Sequence, residues 1–336
     1  MRLTEIGEFG LIELLGKMVA DSNMLLTSGD NLVLGIGDDA AVVNVEYNKQ
    51  LVTTDTLVEN VHFAHDYTSW RDLGWKSMVV NLSDIAAMGG KPTSAVVTLG
   101  LHIETRVEDV EELYKGILSA SSDYDCVIIG GDIVKSPVTF VTIAMIGSSR
   151  NGTTVMERNN AKPGDLVGVT GFLGCSAAGL EILQSKQDIH NLPNWEHFSR
   201  AHLNPLPRLD VVEHLIGLGI NTCMDVSDGL VDDLSKLCKS SQVGAVINIL
   251  DLPMDEFMTS SFDEQQCVEF ALNGGEDYEL IFTGPSVQVL NVVKLLGDSA
   301  AVIGQIVEDS PGSVYVVDQT GTKSRYVSRN GWDHFS

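Results

Sequence analysis

Basic residues are scarce in this chain. Lysine and arginine number 21 against 46 aspartates and glutamates, which leaves a formal net charge of -25. A surface of that sign repels phosphate backbones, so no nucleic-acid partner is expected. The five cysteines (Cys126, Cys175, Cys223, Cys238, Cys267) are odd in number, and no CxxC pair occurs. That spacing indicates neither a disulfide framework nor a zinc site, and favours reduced thiols in a cytoplasmic protein. No apolar run approaches the roughly 18–20 residues of a membrane span, so no membrane partner is expected. Glutamate comes too early in Met1-Arg2-Leu3-Thr4-Glu5 for a signal peptide.

Familiar phosphate motifs are missing as well. There is no GxxxxGK[ST] loop, no protein-kinase signature set and no EF-hand loop. Gly35-Ile36-Gly37-Asp38-Asp39-Ala40 matches GxGxx[GA] on paper. A dinucleotide turn must run into a helix, however, and Ala40–Val45 reads as a strand. Two aspartates would also face the pyrophosphate without a counter-ion.

What is present is an ordinary globular share of apolar residues, 44%. The length suits two domains better than one. Residues 4–20 read as an amphipathic helix, with Ile6, Phe9, Leu11, Ile12, Leu14, Leu15 and Val19 on one face. Helices are expected near 70–88, 107–122, 175–186, 207–217, 229–239 and 286–296. Strands are expected near 41–45, 51–58, 95–101, 126–130, 138–147, 166–170, 222–226, 244–250, 267–271, 278–283, 301–306 and 313–317. The fold class is therefore α/β (α+β). Polar and Gly/Asn residues cluster around 149–164, so the domains are expected to be 1–150 and 151–336.

The informative feature is a set of short acidic motifs beside Gly, Ser or Thr. They are Gly35-Ile36-Gly37-Asp38-Asp39, Thr53-Thr54-Asp55-Thr56, Asn81-Leu82-Ser83-Asp84, Gly130-Gly131-Asp132, Asp225-Val226-Ser227-Asp228-Gly229 and Gly274-Gly275-Glu276-Asp277. Most border a β-rich run, and strand ends are where α/β proteins place ligands. Glycine lets backbone approach a ligand closely. Aspartate offers the hard oxygen that Mg²⁺ takes, usually shared with substrate phosphates. Each motif also has a plainer reading. Ser227 or Asp228 suits a helix cap, Asp84 suits a solvated helix face, and the Gly–Asp runs suit turns. Asp55 is harder to explain away, because aspartate is disfavoured inside a strand. Together the acids would repel one another without cations.

The motifs GIGDDAAV, TTDTLVENVHF, VNLSDIAAMG, GGD, DVSDGL, GGEDYEL and GWDHF occur in this order along nearly the whole chain. In this respect the chain resembles the thiamine-monophosphate kinase family, of the superfamily that includes aminoimidazole ribonucleotide synthetase. The resemblance implies two α/β domains with mixed sheets flanked by helices. The N-terminal one would carry the metal and ATP site and dimerise, and the C-terminal one would complete the active site. It implies ATP as co-substrate, Mg²⁺ as cofactor, thiamine monophosphate as acceptor and a homodimer. It further implies magnesium contacts from Asp39, Thr53, Thr54, Asp55, Asp84, Asp132, Asp225 and Asp228, with Asp55, Asp225 and Asp228 at the chemistry. Tyr114, Gly131, Asp132, Arg158 and Ser227 would meet ATP; His62, Glu276 and Trp332 would meet thiamine monophosphate. A cationic thiazolium does suit a carboxylate and an aromatic face. The plainer readings stand beside these: Trp332 plugs a core, His62 is structural, and Tyr114 belongs to an amphipathic helix.

Departures from the family pattern are Ile133-Val134-Lys135 after the GGD motif and Asn273 before Gly274, and Gln187–His202 reads as irregular. Rival enzymes of the superfamily fit less well. A selenophosphate synthetase would want a reactive thiol near the N-terminus, but the first cysteine is Cys126. A hydrogenase-maturation relative would want a C-terminal cysteine, but the chain ends Phe335-Ser336. A non-catalytic Ca²⁺- or Mg²⁺-binding protein would not need Gly/Ser/Thr-flanked acids in both halves.

Overall fold

The computed structural model describes residues 14–22, 32–34, 42–43, 50–149, 155–185 and 194–326. The chain divides into two compact units, Met1–Ile85 with Gly90–Thr153, and Ala86–Gly89 with Thr154–Ser336.

In the first unit, residues 14–21 are helical. The short strands β1 (Leu32–Leu34) and β2 (Val42–Val43) pair antiparallel. β3 (Gln50–Val58), β4 (Gly90–Leu101), β5 (Val127–Lys135) and β6 (Phe140–Ser149) form a sheet in the order β3-β6-β4-β5. β4 and β5 run parallel. Helix α2 (Val107–Asp123) makes the crossover that a parallel pair requires. Alternation in β6 buries Val141, Ile143 and Met145 and leaves Thr142 and Ala144 half-exposed, the period of two that a half-covered sheet demands.

Helix α1 (Trp70–Ala87) is buried on most of its surface, with Leu73, Met78, Val79 and Leu82 fully enclosed. It crosses α2 with backbone against backbone. A methyl group on Gly74 would lie 1.9 Å from the Leu113 carbonyl oxygen, and one on Gly116 would lie 2.0 Å from that of Arg71. Only glycine permits that approach.

The second unit holds β7 (Leu166–Thr170), β8 (Thr222–Asp225), β9 (Gly244–Asn248), β10 (Leu280–Gly284), β11 (Ala300–Val307), β12 (Val314–Val317) and β13 (Lys323–Arg325). They form one sheet in the order β13-β12-β9-β11-β7-β10-β8, with only β9 and β12 parallel. Its helices are α3 (Cys175–Gln184), α4 (Trp195–Leu203), α5 (Val212–Gly217), α6 (Leu230–Ser241), α7 (Glu256–Ser261), α8 (Glu264–Asn273) and α9 (Ser286–Leu296). Side chains of β10 alternate between two cores. Ile281 packs with Leu230, Leu234 and Leu237 of α6, whereas Leu280 and Phe282 pack with Leu215, Val289 and Val292. The sheet is thus covered on both faces, and the mixed-sheet α+β expectation holds.

Three local expectations need correction. Residues 267–271 are not a strand; they lie in α8. Asp263 and Gln266 close a capping box ahead of them, and Cys267, Ala271 and Leu272 form the buried stripe of a helix. Residues 126–130 do not end at a Gly–Asp turn, because β5 runs on through Gly130-Gly131-Asp132 to Lys135. Within the stretch read as irregular, residues 195–203 form α4.

Candidate active site

The first unit brings together three of the expected residues. Thr53 and Asp55 alternate on one face of β3, opposite Met145 and Ile143 of β6, whose side chains are fully buried. From α1, Asp84 accepts a hydrogen bond from the Thr53 hydroxyl. Among the described residues Asp84 forms no ion pair. Thr54 lies on the other face of β3. By register Asp132 stands opposite Thr98, Thr98 opposite Thr142, and Thr142 opposite Thr56. Asp132 therefore shares the face of Thr54 and Thr56. The Thr56 and Thr142 hydroxyls are 2.8 Å apart, which confirms that row. A side chain on Gly131 would meet the Val97 carbonyl at 1.8 Å, so glycine is required there. His62 folds back on the end of β3, where its Nδ1 accepts from the Val58 amide at 3.0 Å. That bond leaves Nε2 as the protonated nitrogen of the neutral ring. Tyr114 is buried in α2, and burial pushes its phenol well above the ordinary value.

The second unit joins the DVSDGL and GGEDYEL motifs. Asp225, 3% exposed, ends β8 beside Leu280 of β10. Beyond the strands the two loops continue as a ladder. The Val226 amide donates to the Glu279 carbonyl, Tyr278 to Val226, and Glu276 to Ser227, all at 2.8–2.9 Å. Glu276 and Tyr278 both adopt left-handed backbone, φ 65° and 53°. Non-glycine residues rarely do so, and such strain gathers at functional sites. Glycine at 275 is obligatory, since a Cβ would lie 2.6 Å from the Ser227 carbonyl oxygen.

Sequence reasoning missed the residue that organises this loop. Asp233, fully buried on α6, accepts from the amides of Ser227 (2.9 Å), Asp228 (2.9 Å) and Gly229 (3.1 Å) through one carboxylate oxygen. Ser227 and Asp228 are therefore not side-chain caps; the helix caps its own approach from inside. The other Asp233 oxygen takes the Lys236 ammonium at 2.9 Å, and the same ammonium pairs with Asp232 at 2.7 Å and with Asp228. Burial works against the Lys236 charge, but the Asp233, Asp228 and Asp232 carboxylates outweigh it and hold its pKa above the usual value. The sequence signals were the Asp232–Lys236 spacing of four and the Asp233–Lys236 spacing of three on a helix, common surface pairs.

Glu276 lies 3.4 Å from the buried His202, whose Nδ1 is also 3.1 Å from the Ser176 hydroxyl. Asp277 accepts the amides of Gly174 (2.6 Å) and Ser176 (3.0 Å) at the start of α3. Burial lifts its pKa to about 7; the two amides pull it down, and the nearby Glu279 and Glu276 push it up. Glu279 takes Arg208 Nη1 at 2.6 Å.

Arg158 is exposed, and its carbonyl accepts from Ser241. Ser241 ends the 12-residue α6, so at 1.5 Å per residue it lies about 18 Å along the axis from the Asp228 end. Arg158 is not brought to that loop. Asp39 and Trp332 lie outside the described residues, as do the Gly35–Asp39 motif and the GWDHF tail. All five cysteines are free, and burial pushes the Cys126 and Cys238 thiols up to about 12.

The donors suit magnesium unevenly. Thr53, Asp55 and Asp84 offer hard oxygens on one face. Asp225 offers a nearly buried carboxylate at a strand end. Asp228 fits only if it exchanges Lys236 for the metal.

Residues 37–149 match the family described as AIR synthase related protein, N-terminal domain, and residues 162–317 match its C-terminal domain. That pair defines the class. Thiamine-monophosphate kinase of Synechococcus elongatus is 36% identical over 341 residues, covering 99% of this chain and 98% of the relative. The crystal structure of the Stenotrophomonas maltophilia enzyme of that name has a TM-score of 0.79 at 30% identity, covering 89% of this chain and 94% of the other. AaThiL complexed with AMPPCP and TMP has a TM-score of 0.77 at 36% identity, covering 100% of this chain and 99% of the other. The chain belongs to the thiamine-monophosphate kinase family.

Proposed function

We propose that this chain transfers the γ-phosphoryl group of ATP to thiamine monophosphate, giving thiamine diphosphate and ADP. The observation that carries this reading is identity of 36% over the full length to a relative captured with AMPPCP and TMP. The attacking phosphate oxygen is already ionised at neutral pH, so no strong general base is needed. The work is to hold two anions in line and to offset their charge. Bound Mg²⁺ supplies Lewis-acid neutralisation of the phosphate oxygens.

Asp39, Thr53, Asp55, Asp84, Asp225 and Asp228 hold the metal, with Asp55, Asp225 and Asp228 nearest the transfer. Thr54 and Asp132 join this set on resemblance alone, since the register gives neither a place beside Thr53 and Asp84. Ser227, Gly131 and Asp132 position ATP; Tyr114, buried in α2, and Arg158, at the far end of α6 from Ser227, join them on resemblance alone. Glu276 meets the cationic thiazolium with His62 and Trp332. His202 orients Glu276, and Asp233 fixes the loop that presents Ser227 and Asp228.

The N-terminal domain, 1–150, carries metal and ATP contacts and pairs two copies of the chain. The face of its sheet with Val52, 71% exposed, and the half-exposed Thr142 and Val96 suits that pairing. Residues 151–336 supply the second acidic centre. No helix among the described residues is long and apolar enough to cross a membrane. The enzyme works in the cytoplasm, where thiols stay reduced.

An ADP-release assay with ATP, Mg²⁺ and thiamine monophosphate tests the reading, with product identified by mass. Thiamine diphosphate should form only with the monophosphate and the metal. A folded protein that binds ATP yet yields no product from this acceptor would overturn it. Free thiamine and aminoimidazole-pathway substrates are the controls.

A further inference from the structure

The spacing of the cysteines offers no zinc motif, yet the fold assembles a mixed ligand set around one of them. Cys175 opens α3, His197 lies in the first turn of α4, and Asp255 precedes α7. One ligand atom from each lies within 4.8 Å of the other two. Three separate elements therefore converge a thiol, an imidazole and a carboxylate.

Several features fix the three side chains. The Leu173 amide donates to the Pro253 carbonyl at 2.9 Å, tying the chain before Cys175 to the chain before Asp255. Asp255 Oδ1 accepts from the Phe257 amide at 2.7 Å, which leaves Oδ2 turned toward His197. The His197 ring sits edge-on between Phe198 and Phe257, with centroids 5.2 and 5.1 Å away.

The separation between donors is informative. His197 Nε2 and Asp255 Oδ2 are 3.4 Å apart. That is long for a charge-assisted hydrogen bond. It matches the ligand-to-ligand edge of a tetrahedron whose metal bonds are about 2.0–2.1 Å, roughly 3.3–3.4 Å. Burial first, and then the Asp277, Asp255 and Glu279 carboxylates, push the Cys175 thiol up, so an incoming cation displaces the thiol proton as it binds. Glu279 is partnered by Arg208, so Asp255 is the carboxylate that faces the incoming ion.

We propose that Cys175, His197 and Asp255 bind a borderline-soft divalent cation of the zinc class, with water as fourth ligand. Thiolate and imidazole select such an ion over Mg²⁺. This site is independent of the kinase reading. Cys175 lies between Gly174 and Ser176, whose amides hold Asp277, so the ion pins the start of α3 under the GGEDYEL loop.

Chelator-treated full-length protein, kept in excess Mg²⁺, is titrated with Zn²⁺ against a chromophoric competitor and separately with Co²⁺. One equivalent should bind, and Co²⁺ should give a thiolate charge-transfer band. Cys175→Ser should abolish the band. His197→Ala, at an exposed position, should weaken Zn²⁺ binding at least tenfold. Asp255→Asn keeps a good helix cap and should weaken it too. Metal-free melting temperatures show that each variant is folded. No band in the wild type, a band that survives in Cys175→Ser, or affinity unchanged in both other variants would overturn the proposal.

Discussion

The two acidic centres solve the same electrostatic problem in opposite ways. At the first, Asp84 receives only a hydroxyl, from Thr53, and among the described residues it has no ion pair. At the second, one lysine serves Asp228, Asp232 and Asp233, and three backbone amides serve Asp233 again. Asp84 leaves its charge for an outside cation. The second centre carries an internal one and must release it before Asp228 can hold metal. A carboxylate in a motif is thus no guide to its readiness; the neighbours decide.

Single substitutions at the two centres give the largest expected effect. Asp84→Ala and Asp225→Ala should each lower kcat by about a hundredfold or more, the scale of losing one group that meets developing charge. Circular dichroism should show both variants folded. Full activity in either would remove that centre from the chemistry. Next comes Asp233→Ala, which strands three amides and leaves the Lys236 ammonium with Asp228 and Asp232 alone. It should cost about 3 kcal/mol of stability by urea unfolding, whereas Asp84→Ala should be nearly neutral in that measurement. Equal losses would erase the distinction between a centre built for stability and one built for ligand.

Lys236→Met sharpens the contrast further. With the ammonium gone, three carboxylates face one another, and the melting temperature should fall by a few degrees, about 1 kcal/mol for this size of unit. Added Mg²⁺ should restore it more than it stabilises the wild type. A variant indifferent to Mg²⁺ would mean that this cluster does not take the ion.

The smallest effect is a pH dependence. Asp277 is lifted to about 7 in the folded chain, against an unfolded value of about 3.9. The native state then holds the extra proton between these values. Stability from this group is full below the unfolded value and is lost as pH rises toward 7. Asp277→Asn keeps one acceptor oxygen for one of the two amides, lowers stability at every pH by turning a donor toward the other, and should flatten the melting-temperature profile from pH 4 to 7. An unchanged slope would assign it to other groups.

Much of the fold was legible because burial writes itself as period. The alternation in β6 and the Val/Ile-rich β10 follow directly from covered sheet faces. α8 was misread because Cys267-Val268-Glu269-Phe270-Ala271 mimics a short strand, while its evidence for helix, Asp263 and Gln266, lies just ahead of the run. The acidic motifs were visible as motifs, but their partners were not. Asp233 and Lys236 look like a solvated helix face until the DVSDGL loop curls back on them. His202 acquires meaning only through Ser176 and Glu276, 26 and 74 positions away in sequence.

The three amides that converge on Asp233 are adjacent in the chain. Because one carboxylate oxygen holds all of them, none can be released to solvent alone. Ser227, Asp228 and Gly229 should therefore trade hydrogen for deuterium in step, at a rate set by the opening of the α6 end. Those three signals would form a natural clock for the loop, one that slows when ligand closes over Ser227 and Asp228.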